Sequence, residues 1–172
     1  MLREAAGDAL KRRVRLADLG CGNQRLRSSL QSEFGSTRIV YRGFDIHPQA
    51  DDVAFFDVRQ AAPPGEWDVV AMLGVLEYVE DLPAALRRLA GAAPWYLVSH
   101  VVSDGRPAAE SERRRYGWTR LPSAAELSQE LAQAGFTVAG HRLLDEGRTG
   151  LWVCRSNPAG RPAAGSSAPD DM

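Results

Sequence analysis

Apolar positions along the chain follow two periods, and the changes between them outline its elements. "VRLADL" (14–19) alternates as a strand does and stops just before a pair of glycines. From Asn23 the period lengthens: Leu26, Leu30 and Phe34 fall on one helical face, and Gly35 follows as a stop. "RIVYRGFDI" (38–46) and the short "DVAFFDV" (52–58) are rich in β-branched and aromatic residues and read as the second and third strands. "WDVVAML" (67–73) is an apolar run of the kind buried on both faces of a parallel sheet. Asp81 caps a helix over "LPAALRRLAGA" (82–92), with Pro83 in the first turn and Leu82, Leu86 and Leu89 on one side. "PWYLVSHVV" (94–102) is a fifth strand, and a polar loop runs over 103–122. Ser123 and Glu126 have the spacing of a capping box, opening a helix that carries Leu127, Leu131 and Ala134 and stops at Gly135. "FTVAGHRLL" (136–144) and "GLWVCR" (150–155) flank "DEGRT" as a hairpin.

Strands alternating with helices predict an α/β fold: a doubly wound, mostly parallel sheet of about seven strands with a C-terminal antiparallel hairpin. Two connections are too short for a full crossover helix, the one after Asp45 and the loop "RQAAPPGE" (59–66). The 172 residues, 44% hydrophobic and 25% charged, suffice for one domain with a complete core. A net charge of −1 supplies no basic field for nucleic acid, and Arg113, Arg114 and Arg115 follow Glu110 and Glu112 as a solvated face. No apolar stretch approaches the roughly 20 residues that span a bilayer. "MLREAAGDALKRR" is too charged for a signal peptide. The two cysteines and three histidines show no metal-ligand spacing, so a reduced, cytoplasmic protein without a metal is expected. Residues 157–172, "NPAGRPAAGSSAPDDM", carry too little apolar surface to offset their ordering entropy and are expected to form a disordered tail behind a domain of residues 1–156.

The candidate chemistry gathers at "RLADLGCGNQRL" (15–26). Ligands of open parallel sheets bind beyond the carboxyl ends of the strands, where this loop lies. A dinucleotide fingerprint needs a glycine where Arg25 stands, and a phosphate loop needs a Gly-Lys-Ser/Thr ending that is absent. What remains is Asp18-Leu19-Gly20-Cys21-Gly22, with a second acid, Asp45, closing the next strand. These features resemble the class I S-adenosylmethionine-dependent methyltransferases, as do "DIHP" (45–48), "FFDV" (55–58), "WDVVAMLGVLEYVEDLPAAL" (67–86) and "YGWTRLPSAAELSQELAQAGF" (116–136). Two departures stand out: Gln24 occupies the family's third glycine, and Tyr78 stands where many relatives have histidine.

The resemblance implies a Rossmann-like methyltransferase fold and methyl transfer from S-adenosylmethionine to a small-molecule acceptor, with no nucleic acid or membrane as partner. Gly20 and Gly22 would present bare backbone to the cofactor, and Asp18 would attract its cationic groups. Asp45 suits a ribose diol, because an ionised carboxylate is acceptor-only. Ile46 would cover the adenine, Asp57 and the Val58 backbone would address its edge, and Leu73 and Gly74 would offer carbonyls to the methionine ammonium. His100, near the end of the fifth strand, is the candidate general base. Tyr78, Tyr116 and Trp118 are candidate substrate contacts, the last two as a lid in the long loop. Plainer roles compete: His100 as a packing residue, Asp57 as a strand-end acid, Cys21 as a small filler. Two other functions also compete, a cofactor- or partner-binding protein without catalysis and a nicotinamide oxidoreductase, the latter opposed by Arg25. Neither the acceptor atom nor the oligomeric state can be read from these residues.

Overall fold

The alternation of apolar runs resolves into a single sheet. A computed structural model of the chain describes residues 13–105 and 110–156. The N-terminal charged segment and the expected tail at 157–172 lie outside the described residues. The elements are β1 (Val14–Leu19), α1 (Arg25–Phe34), β2 (Ile39–Asp45), β3 (Val53–Phe55), β4 (Val69–Leu73), α2 (Leu82–Leu89), β5 (Trp95–Val101), α3 (Glu110–Tyr116), α4 (Ala124–Gln133), β6 (Phe136–Leu144) and β7 (Thr149–Ser156). Seven strands order as β3-β2-β1-β4-β5-β7-β6. The first five are parallel, and β7 runs antiparallel to both β5 and β6. The order reverses between β1 and β4, which opens a crevice at their carboxyl ends.

β4 is apolar throughout because both of its faces are covered. Val70 and Met72 pack with Leu82, Leu86 and Leu89 of α2 and with Leu127 and Leu131 of α4. Val69 and Ala71 face the other way, where Leu30 of α1 joins Val14 and Leu16. Burying each such leucine contributes about 1.5–3 kcal/mol. Two caps fix where the helices start. The Asp81 carboxylate accepts from the Ala84 amide, and Ser123 and Glu126 form the reciprocal capping box.

The expected sheet, its C-terminal hairpin and the two helix-free connections are all present. Three short elements differ from expectation. The polar stretch at 103–122 contains α3, whose "ESERRRY" has no apolar period to reveal it. Its C-terminal end is tied down by Arg113, whose Nη1 donates to the carbonyls of Trp118 (3.3 Å) and Thr119 (3.1 Å). Single 3-10 turns form at Leu76–Tyr78, just after β4, and at Asp145–Gly147, within the hairpin.

Candidate functional site

The crevice is organised by Asp45 at the end of β2. Its Oδ2 accepts from the Gly22 amide and its Oδ1 from the His47 amide, each at 2.9 Å. A carboxylate has about four acceptor positions, so each oxygen keeps one. The Gly22 bond clips the loop after β1 into a left-handed course, with φ of +70° at Gly20, +48° at Gly22 and 58° at Gln24. Gln24 therefore adopts the backbone that a third glycine would take. Its side chain turns away along the surface, donating to Asp52 Oδ1 (3.0 Å) and accepting from Arg27 (2.9 Å).

The two loop glycines have different reasons to be bare. A Cβ on Gly20 would lie 2.6 Å from Cβ and Cγ2 of Val75, so its missing side chain makes room for the chain after β4. Packing against Val75 is thus a reason for this glycine beside the ligand approach expected of it. A Cβ on Gly22 would meet nothing within 4 Å, so the open side of the loop is there.

Asp18 lies buried beneath the loop. Its Oδ2 accepts from the Tyr41 hydroxyl of β2 at 2.6 Å, a partner that the sequence reading missed. Burial pushes the Asp18 carboxyl up to about 6, against the Tyr41 bond and with help from the Asp45 charge. Burial, followed by the same two carboxylates, pushes the Cys21 thiol up to about 11, so it stays protonated. On the far side of the crevice, the Gly74 amide donates to Ser99 Oγ (3.0 Å), which ties the end of β4, including Leu73, to β5. Ile46 is exposed at the rim and Val58 is buried beyond it.

Two expected roles need correction. Asp57 was expected to accept from the adenine, yet its oxygens already receive four donors. Oδ1 takes the Arg59 amide (2.9 Å) and Nε (2.8 Å); Oδ2 takes Arg59 Nη2 (2.8 Å) and Gln60 Nε2 (3.1 Å). The Arg59 side chain holds Asp57 below the usual carboxylate range, and a direct adenine bond would have to displace one of these donors. His100 was expected to act as a base toward the acceptor, yet its relative exposure is 0%. Its Nδ1 lies 2.5 Å from the Val101 carbonyl, which can only accept, so Nδ1 carries the proton. Nε2 is buried without a partner among the described residues. Glu77, on the turn after β4, shares this interior. Oε1 accepts the Val101 amide at 2.9 Å, and Oε2 is likewise buried without a partner among the described residues.

Tyr78 is exposed on the turn after β4. Tyr116 and Trp118 stack on each other, with centroids 5.1 Å apart and planes at 23°. They line a cavity of about 330 Å³ at the carboxyl end of β5. The expected site residues thus fall into two neighbouring groups, one around the glycine loop and one beyond β5. Among the described residues no group of three or more His, Cys, Asp or Glu side chains could hold a metal ion. Nor is any helix among them long and apolar enough to cross a membrane.

This strand order, with an acid-closed glycine loop at the point of reversal, defines a Rossmann-like methyltransferase fold. The family model described as "Methyltransferase domain" matches residues 2–141, and the chain belongs to that family. Among solved structures it is similar to the O-methyltransferase NcsB1 from neocarzinostatin biosynthesis, in complex with S-adenosyl-L-homocysteine and 1,4-dihydroxy-2-naphthoic acid. The TM-score is 0.66 at 22% identity, over 86% of this chain and 50% of that one. It is also similar to the [4+2]-cyclase SpnF, with a TM-score of 0.64 at 16% identity over 89% of this chain and 78% of that one. At such identities the likeness shows the fold alone. A curated argininosuccinate synthase from Azoarcus sp. (strain BH72) is 31% identical over 88 residues, which is 46% of this chain and 22% of that enzyme. The chain thus spans half of NcsB1 and about a fifth of that curated relative.

Proposed function

We propose that the protein binds S-adenosylmethionine and transfers its methyl group to a small-molecule acceptor. The observation that carries this reading is Asp45, which anchors the glycine loop through Gly22 and keeps one acceptor position on each oxygen. Two free acceptors on one carboxylate suit the two donors of a ribose diol. The open side of Gly22 leaves room for a ligand against the loop. Buried Asp18 supplies negative charge near it, and the carbonyls of Leu73 and Gly74, at the end of β4, would take an ammonium group. Ile46, at the rim, can cover an adenine face, with the Val58 backbone at its edge.

The cofactor supplies a methyl group already activated on a sulfonium. The chain's own task is then to orient the acceptor and to exclude water, since holding reactants in line by itself lowers a barrier by several kcal/mol. NcsB1, whose structure holds S-adenosyl-L-homocysteine together with 1,4-dihydroxy-2-naphthoic acid, supports a small molecule as substrate.

Calorimetric titration with S-adenosylhomocysteine tests the binding half. Asp45→Ala should weaken affinity roughly ten- to hundredfold, the range for hydrogen bonds to a charged group. Unchanged affinity in a folded variant would remove the ribose role. A second reading, cofactor or partner binding without catalysis of methyl transfer, draws support from SpnF, which carries this fold as a [4+2]-cyclase. Transfer of a labelled methyl group into a metabolite extract would eliminate that reading.

A further inference from the structure

The cavity beyond β5 has a composition of its own. Its lining combines the Tyr116–Trp118 stack with Glu112 of α3 and with Asp145, Arg148 and Thr149 around the hairpin turn. Arg148 Nη2 donates to Glu112 Oε1 at 2.7 Å, so these two charges neutralise each other. Asp145 Oδ2 accepts from the Thr149 hydroxyl at 3.0 Å, a neutral donor. The lining itself holds two carboxylates and one guanidinium, and Asp145 is the carboxylate whose side-chain hydrogen bond comes from a neutral group. The Arg115 guanidinium sits 5.7 Å from the Tyr116 ring centroid and Tyr116 stacks on Trp118, so among the described residues Trp118 is the aromatic side chain of the wall without a cation on it.

Hydrogen bonds link the pocket to the turn that follows β4. Thr119, next to Trp118, donates its amide (2.8 Å) and hydroxyl (3.1 Å) to the Glu77 carbonyl, on the turn that follows β4. Val101, in the pocket lining, is bonded to the same residue through its amide. The volume, about 330 Å³, lies at the small end of ligand sites and suits one or two fused rings.

We propose that this pocket takes a flat aromatic acceptor bearing an ammonium group, with the rings against Tyr116 and Trp118 and the ammonium toward Asp145. The proposal rests on the methyl-transfer reading for its direction, since that reading makes the occupant the acceptor.

The test uses three matched probes, naphthylmethylamine, naphthylmethanol and naphthoate, titrated calorimetrically into the full chain saturated with S-adenosylhomocysteine. The amine should bind about tenfold more tightly than the alcohol, with naphthoate weakest. Asp145→Asn should bring the amine down to the affinity of the alcohol and leave the alcohol unchanged. Trp118→Ala should weaken amine and alcohol alike, and Trp118→Phe, which keeps an aromatic face, should restore both. Tightest binding of naphthoate would overturn the proposal by assigning the pocket to Arg148. So would an amine affinity indifferent to Asp145, or no probe binding while S-adenosylhomocysteine still binds. Amine binding by a chain that never takes up S-adenosylhomocysteine would overturn the methyl-transfer reading and leave the amine pocket standing.

Discussion

Replacing Asp18 by asparagine should make the protein more stable at neutral pH and less able to hold a cationic cofactor. Burial raises the Asp18 carboxyl from 3.8 to about 6 despite the Tyr41 hydrogen bond. A rise of roughly two pH units corresponds to about 3 kcal/mol of unfavourable free energy in the ionised folded state. Its sign follows from proton counting. Between about pH 4 and 6 the folded state keeps a proton that the unfolded chain has released, so this contribution to stability falls as pH rises. Asparagine cannot ionise and keeps an oxygen for the Tyr41 hydroxyl, whose bond to the carboxylate is already counted in the net rise. The expected gain well above pH 6 is therefore about 3 kcal/mol, or about 6–12 °C in Tm for a chain of this size. Below about pH 4 the advantage should vanish. Urea unfolding of both proteins across this range measures the difference directly, and other titrating groups cancel in the comparison. A difference independent of pH, or a variant less stable at neutral pH, would refute the reasoning. The same acid should matter to binding in the opposite sense: S-adenosylmethionine affinity should drop in the native protein as pH falls through about 6, and stay level in Asp18→Asn.

Three further outcomes follow from the loop and from β5. Gly20→Ala combines a left-handed φ with a 2.6 Å clash against Val75, whereas Gly22→Ala meets open space. Unfolding experiments should show the first losing clearly more stability than the second, whose cost is near the 1 kcal/mol of backbone strain, and equal losses would contradict the packing. Gln24→Gly should relieve its left-handed backbone and change stability by no more than about 1 kcal/mol in either direction, because the side-chain bonds lost to Asp52 and Arg27 are near the surface. Glu77→Ala strips the acceptor from the buried Val101 amide and should cost about 1–3 kcal/mol in denaturant unfolding, with Glu77→Gln retaining most of it; a neutral alanine variant would mean that water replaces the carboxylate.

The parts of this structure legible in the sequence are those governed by period and by capping. Leu26, Leu30 and Phe34 announced α1, Ser123 with Glu126 announced α4, and the apolar run at 67–73 announced a strand covered on both faces. α3 escaped because seven polar residues held by contacts at their C-terminal end carry no periodic signal. For His100 two roles competed, general base and packing residue, and the sequence carried a signal for each. Its nearness to the strand end suggested a site, whereas its parity with Tyr96 and Val98, both in the core, placed it on the buried face. Counting alternation along β5 would have caught it. Asp57 and Gly20 could not have been caught so easily. The Arg59 fork depends on a loop conformation, and the Val75 contact joins positions distant in sequence.

These misreadings share a physical pattern that bears on how the site works. Around the glycine loop the structure spends its polar groups on itself: Asp18 on Tyr41, half of Asp45 on Gly22 and His47, all of Asp57 on Arg59 and Gln60. Such a surface is already organised, so a ligand finds a few open acceptors in fixed places and loses little free energy ordering them. The wall beyond β5 is built otherwise. α3 buries no apolar stripe and is held by a half-exposed ion pair, by Arg113 and by the Thr119 bonds to the turn after β4. Contacts of that kind open at lower free energy than the core strands. Under the proposed readings, a rigid cofactor edge beside a lightly held acceptor wall would let one molecule be positioned in advance while the other enters and leaves. It would also let residues such as Asp145 and Trp118 vary the acceptor without disturbing Asp45.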